Sequence, residues 1–366
     1  MTEHRKFRLS RREALKALAA LGVTYSVLPI VARPALAAGE VNYLTWSGYD
    51  APELFKPYIA KYGGMPEISL IGNEEDSFAK MMTGWAPDLM HPGNYNVRKW
   101  QEAGLLQPID TARVTTWPDI FDSVRNEKSA KVDGKQYQIP SEFGNSSVVY
   151  RTDLVDQGYK DNPSWSILYD EKYKGRVAFY DAADSIVQVA ARVLGYDNIY
   201  SLSDDQLKEV KKLATKQRDL LRLYWSSATE LEQAMASGEV VAAYGWNQTV
   251  VNLKKQGLAV DMMVPKEGIF TWIAGFTMHK NVKNETAAYD LINAWTSPGS
   301  GAWLIDNYGY GSTNSKAYDI VPKERLAELG FSRPNAILEG SIFFKSLTPE
   351  VDKRYQAIAT EVQAGG

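Results

Sequence analysis

"YQIPSEFGNSSVVY", Tyr137–Tyr150, is a long extended segment near the middle of a chain of 366 residues. A second apolar extended stretch, "IFTWIAGFTM", runs from Ile269 to Met278. A chain that leaves one lobe, builds another and returns needs two such crossings. The pair predicts two α/β lobes joined by strands. Residues 38–146 open the first lobe, 147–273 build the second and 274–320 return to the first. The cleft between such lobes is a natural ligand site, because strand ends and loops face it. The length suits two domains at roughly 100–200 residues each.

On either side of the crossings, short apolar runs alternate with longer helical patterns, which predicts parallel α/β sheets. Asn42–Trp46 is the first strand, followed by Glu67–Ile71 and Asp88–Met90, the last stopping at the turn Pro92-Gly93-Asn94-Tyr95. Leu54, Phe55, Tyr58, Ile59 and Tyr62 fall at helical spacing. Asp50 is placed to cap that helix, Pro52 to fill its first turn, Pro57 to kink it and Gly63-Gly64 to end it. Farther on, Arg176–Tyr180, Val240–Tyr244 and Asp261–Val264 read as strands. Ser203 with Gln206 and Thr229 with Glu232 read as capping boxes, the first for a helix to about Arg222, the second for one stopped by Gly238. Thr286–Trp295 reads as a helix closed by Pro298-Gly299.

Residues 1–37 read as a cleaved export signal rather than part of the fold. Arg5, Lys6 and Arg8 lead into Ser10-Arg11-Arg12, an apolar stretch runs from Ala17 to Val31, and Ala35-Leu36-Ala37 offers a cleavage pattern. The stretch is shorter than the roughly 20 apolar residues a spanning helix needs. Arg11-Arg12 gives it a twin-arginine character, which exports folded proteins; Ala14 stands where such signals carry Phe, so the ordinary secretory route is the alternative. An amphipathic helix would be the bland reading, but basic region, apolar region and cleavage site come in the order of a signal. The expected location is periplasmic.

The signal holds seven of the 41 Lys/Arg and two of the 44 Asp/Glu, so the remaining chain carries a net charge of −8. An acidic exported chain is a poor match for nucleic acid and is compatible with cationic ligands. Cysteine is absent and only His4, His91 and His279 are present, which removes thiolate chemistry and leaves little for histidine-based metal or acid–base work. No cofactor or metal site is expected.

Several stretches, in order, resemble the periplasmic solute-binding proteins of the spermidine/putrescine type, which serve ABC importers. They are Leu44-Thr45-Trp46-Ser47-Gly48-Tyr49, Ser77-Phe78-Ala79-Lys80, Asp88-Leu89 with Tyr95, Gly104–Asp110, Ile139-Pro140, Ser164-Trp165 through Tyr173-Lys174-Gly175, Ala243-Tyr244-Gly245-Trp246, Pro265-Lys266-Glu267-Gly268 and Tyr308-Gly309-Tyr310. The resemblance covers nearly all of the chain after the signal. It implies a two-lobed periplasmic-binding-protein fold (type II), each lobe a sheet flanked by helices, with residues 321–366 packing mainly on the second lobe. It also implies a monomer that closes over a small molecule and hands it to a permease in the cytoplasmic membrane.

In that family aromatic rings sandwich the ligand and carboxylates neutralise its ammonium groups. The rings correspond here to Trp46, Tyr49, Tyr95, Trp246, Trp272 and Tyr310. The acids do not correspond. Gly48, Ala182, Ser185 and Ala274 stand where the polyamine binders carry carboxylates. A multiply charged amine buried without partners is strongly disfavoured. The expected ligand is therefore a small organic amine, singly charged, quaternary or zwitterionic. A true polyamine remains the alternative if substitute acids serve, with Glu142 in the first crossing and Asp184, reached by a shift of one or two residues, the foremost candidates. Asp50, Glu74, Glu75, Asp76, Asp181 and Glu230 are further candidate acids, although Glu74-Glu75-Asp76 reads first as a solvated helix start, where acids favour the positive end of the dipole, with ligand contact as its alternative. Trp85, Trp100, Trp165 and Trp295 read as packing residues, the commoner fate of tryptophan. His91 reads as a structural strand-end residue.

Two other classes compete. An exported enzyme would need a recognisable site, and no G-x-G-x-x-G, P-loop, G-x-S-x-G or H-E-x-x-H occurs. A metal-ion cargo held by tyrosinates is conceivable with 21 Tyr, but no adjacent Tyr pair has His or acid support.

Overall fold

The computed structural model describes residues 41–332, 334 and 342–365; the predicted signal at 1–37 lies outside the described residues. Two strands carry both halves of one large sheet, Ile139–Arg151 and Phe270–His279. They pair antiparallel from Phe270 opposite Ser146 to Phe276 opposite Ile139, with a bulge between Ala274 and Gly275. Only glycine fits at 275, since a Cβ there would collide with the Ile139 carbonyl.

On one side, Thr277 and Met278 pair with Leu89–Met90, beside which lie Asn42–Trp46 and then Glu67–Ile71. On the other side, Ile139–Arg151 pairs with Ala242–Trp246, followed by Val177–Tyr180 and Leu221–Trp225. Strands within each half run parallel, as helical crossovers require. The crossing strands run antiparallel to them. The sheet is therefore mixed rather than parallel, because the chain passes between halves in extended form and not through a helix.

Two large cores flank the crossings. One gathers Trp165, Phe179, Trp225, Tyr244 and Phe270. The other gathers Tyr43, Phe55, Phe143, Phe276 and Trp295. A smaller cluster around Met90 and Trp100 backs the first strands. Val321, Leu326 and Phe331 pack with the core of Phe276, whereas Phe344 and the helix Pro349–Ala364, through Tyr355, Ala359 and Val362, pack with that of Trp225.

Several local expectations change. The helix capped by Ser203 and Gln206 ends at Arg218, because Leu221–Trp225 forms a further strand against Val177–Tyr180. The Thr229–Glu232 box does not form: the helix starts at Ala228, and Glu232 accepts from Asn252 Nδ2 at 2.9 Å. Asp50 caps nothing, since a short 3₁₀ turn Pro52–Phe55 follows Ala51. Pro57 then sits in the first turn of Lys56–Tyr62, where its missing N–H costs nothing and produces no kink. Pro298 opens the helix Pro298–Tyr308, capped by Ser297, rather than closing the one before it. Among the described residues no helix is long and apolar enough to cross a membrane.

Candidate functional site

Asn42–Trp46 and Ala242–Trp246, one from each half of the sheet, both end in tryptophan. Trp46 is fixed by donating Nε1–H to the His91 carbonyl at 2.9 Å, and its ring meets that of Trp246 edge-on at 6.4 Å. Tyr180 and Trp225 back Trp246 at 5.2 and 4.9 Å. The second crossing strand supplies Trp272, whose ring lies across Gly144 and meets Tyr310 at 4.8 Å. Tyr49 is buried and stacks on Tyr308 at 6.0 Å, and Tyr95 packs on Phe344 at 5.3 Å. Trp46, Tyr49, Tyr95, Asp184, Trp246, Trp272 and Tyr310 all line one cavity of about 530 Å³.

Burial raises the phenols of Tyr49, Tyr95 and Tyr310 well above their ordinary range, and neighbouring acids and phenols add to the shift. With no cation beside them they are neutral hydrogen-bonding groups. Among the described residues no three His, Asp or Glu gather to hold a metal.

Glu142 is the expected site residue that does not line the cavity. It is fully buried behind it, opposite Ala274 in the crossing pair. One carboxylate oxygen takes His91 Nε2 at 2.6 Å and the other accepts from Ser141 Oγ. His91 Nδ1 in turn meets the Tyr43 hydroxyl. The carboxylate is committed to this internal chain of partners, which also gives His91 its structural role.

Glu74 corrects the reading in the opposite direction. It is buried and lines the cavity rather than facing solvent. The Gly93 N–H donates to Oε1 at 2.6 Å and Asn96 Nδ2 to Oε2 at 2.7 Å, so Glu74 also holds the turn that presents Tyr95. Burial pushes its carboxyl up to about 7 against these hydrogen bonds, with Asp184 adding repulsion. Asp184, on the helix Ala183–Val193, is likewise pushed up by burial to about 6, although the Ser185 N–H donates to it at 2.7 Å. Each half thus presents one carboxylate with a raised pKa to the same cavity.

The structure shows what occupies the four positions where the resemblance led us to look for acids. Gly48 adopts φ +92°, its carbonyl accepts from the Tyr308 hydroxyl, and a Cβ would stand 3.1 Å from Gln248 Nε2. A carboxylate side chain there would be strained and crowded. Ala182, Ser185 and Ala274 line the cavity without charge. Sequence reasoning missed Lys99, Tyr180, Tyr244 and, near the C-terminus, Phe344, Lys345, Asp352 and Gln356, which line it too. Tyr180 carried a usable signal, since it ends a strand as Trp46 does. Lys99 and the C-terminal helix carried none, because their partners are remote in sequence.

Residues 53–329 match the family model of bacterial extracellular solute-binding proteins. The chain belongs to that family. The spermidine/putrescine-binding periplasmic protein of Escherichia coli K12 is 26% identical over 288 residues, covering 77% of this chain and 80% of that one. A putative spermidine/putrescine ABC transporter from Listeria monocytogenes superposes with a TM-score of 0.78 at 19% identity, covering 88% of this chain and 98% of the other. The PBP MotA of A. tumefaciens B6, in complex with glucopine, superposes with a TM-score of 0.70 at 16% identity over 89% and 99%. The solute-binding protein described here therefore has the two-lobed α/β fold expected of it, with its cavity where the two halves of the sheet meet.

Proposed function

We propose that this solute-binding protein takes a small organic cation with a single ammonium, free or quaternary, and delivers it to an ABC permease of the cytoplasmic membrane. Ligand bridging the two walls favours the closed arrangement of the lobes. In this reading residues 38–146 and 274–320 form one lobe, 147–273 the other, and the chain acts as a monomer after twin-arginine export to the periplasm.

The observation that carries it is the combination of ring faces with one raised carboxylate from each half, Glu74 and Asp184. A ring face attracts ammonium by about 0.5–2 kcal/mol per contact and covers methylenes as well. An ammonium between Glu74 and Asp184 would relieve their mutual repulsion, so binding and closure favour each other. The cavity is lined by six carboxylates and two lysines, without arginine among the described residues. A zwitterion is the second reading, favoured by Trp272 Nε1, which lacks a hydrogen-bond partner among the described residues and could donate to a ligand carboxylate.

A thermal-shift screen of the mature chain with choline, betaines, aminobutyrate-type zwitterions, putrescine and spermidine tests this. Stabilisation by a singly ammonium-bearing compound is expected. Micromolar binding of spermidine with no response to any monocation would overturn it.

A further inference from the structure

We infer that Lys99 sets the number of charges the ligand can carry: its ammonium fills one end of the cavity as a built-in amine and excludes the second ammonium of a diamine or polyamine. The inference rests on the amine reading of the cavity.

Lys99 projects from the helix Val97–Glu102 into the cavity lining. Its Nζ donates to both oxygens of Glu75 and to Oδ2 of Asp352, each at 2.8 Å. It also stands 4.9 Å from the centre of the Phe78 ring. Three carboxylate oxygens for three N–H donors, with an aromatic face alongside, is the coordination a ligand ammonium would seek. Glu75 and Asp352 both line the cavity, so the place Lys99 occupies is continuous with the aromatic region. Burial opposes the lysine charge, but the hydrogen bonds it donates to Asp352 and Glu75 outweigh it and hold the ammonium above its ordinary range.

The position also explains why so many acids coexist with a cavity suited to one ammonium. Lys99 neutralises the Glu75–Asp352 end and leaves Glu74 and Asp184 to the ligand. Without Lys99, two carboxylates would face each other with no counter-ion, an arrangement that a second ligand ammonium would relieve. Arginine at 99 would keep a cation in place, whereas alanine or serine would open the end.

Calorimetric titration of wild type, Lys99→Ala, Lys99→Ser and Lys99→Arg with linear monoamines, diamines of matched length and spermidine tests the inference. Wild type and Lys99→Arg should prefer the monoamines. Lys99→Ala should improve spermidine over monoamine by at least about tenfold relative to wild type. Should Lys99→Ala fail to fold, Lys99→Ser opens the same end and reads the same ratio. Equal weakening of every amine would make Lys99 a simple brace between the helices and overturn the inference while leaving the amine reading intact. Wild type that binds none of these amines would overturn the inference, and wild type that prefers spermidine would overturn both.

Discussion

Glu142 and Glu74 are both buried glutamates beside the same ring of aromatics, yet they are held in opposite ways. Glu142 meets an imidazole and a serine hydroxyl behind the cavity. Glu74 meets a backbone N–H and an asparagine amide at the cavity wall, with a second carboxylate, Asp184, as its charged neighbour. Burial is common to both; the partners decide which one can respond to a cation. A carboxylate enclosed by its own partners behind the wall is structural, whereas one that lines the cavity near a second carboxylate keeps a demand for positive charge.

The sharpest way to break that contrast is to remove each side chain. Glu142→Ala should lower unfolding free energy by about 2–4 kcal/mol in urea titrations, since it strands His91 and Ser141 in the interior. A loss below about 1 kcal/mol would mean that the His91–Glu142 contact holds little together. Trp46→Ala and Trp246→Ala remove ring faces from the same cavity. Each should weaken binding of the responding cation by roughly 10–100-fold by calorimetry with the far-ultraviolet spectrum unchanged.

The next prediction follows from pH. The Glu74 carboxyl rises from an ordinary 4.5 to about 7 in the folded chain, and that of Asp184 from 3.8 to about 6. The folded chain therefore binds protons more tightly than the unfolded chain over that interval. The stability this confers is complete below the ordinary values and is lost as pH rises through about 6 and 7. Melting temperature without ligand should accordingly climb as pH is lowered from 8 to about 5. Cation affinity should do the reverse, since it needs the ionised forms. Glu74→Gln should flatten both trends, whereas Glu142→Gln should not act on them through the cavity. The smallest effect concerns Gly48: Gly48→Asp should cost about 1–2 kcal/mol, because the backbone there is left-handed. It should not create spermidine binding.

Much of the fold was legible because extended apolar segments as long as Tyr137–Tyr150 and Ile269–Met278 have few uses other than crossing between sheet halves. The rings were legible for a related reason: Trp46 and Trp246 end strands, where loops and cleft begin. The charge arrangement was not. Glu74-Glu75-Asp76 has the local pattern of a solvated helix start, and only the turn at Gly93–Asn96, which arrives from elsewhere in the chain, buries Glu74 and separates it from its neighbours. Lys99 finds Asp352 across 253 positions, a distance no local pattern spans. The absence of an acid at Gly48 was readable, but its cause, the approach of Tyr308 and Gln248, belongs to tertiary structure.

The cavity also gives the molecule an optical property. Three of its ten tryptophans, Trp46, Trp246 and Trp272, border the proposed solute cavity, and Trp225 lies in ring contact with the second of them. Any occupant must change the polarity around several indoles at once. Intrinsic emission can therefore report occupancy without a dye, and single Trp→Phe variants would resolve which wall an incoming molecule touches first.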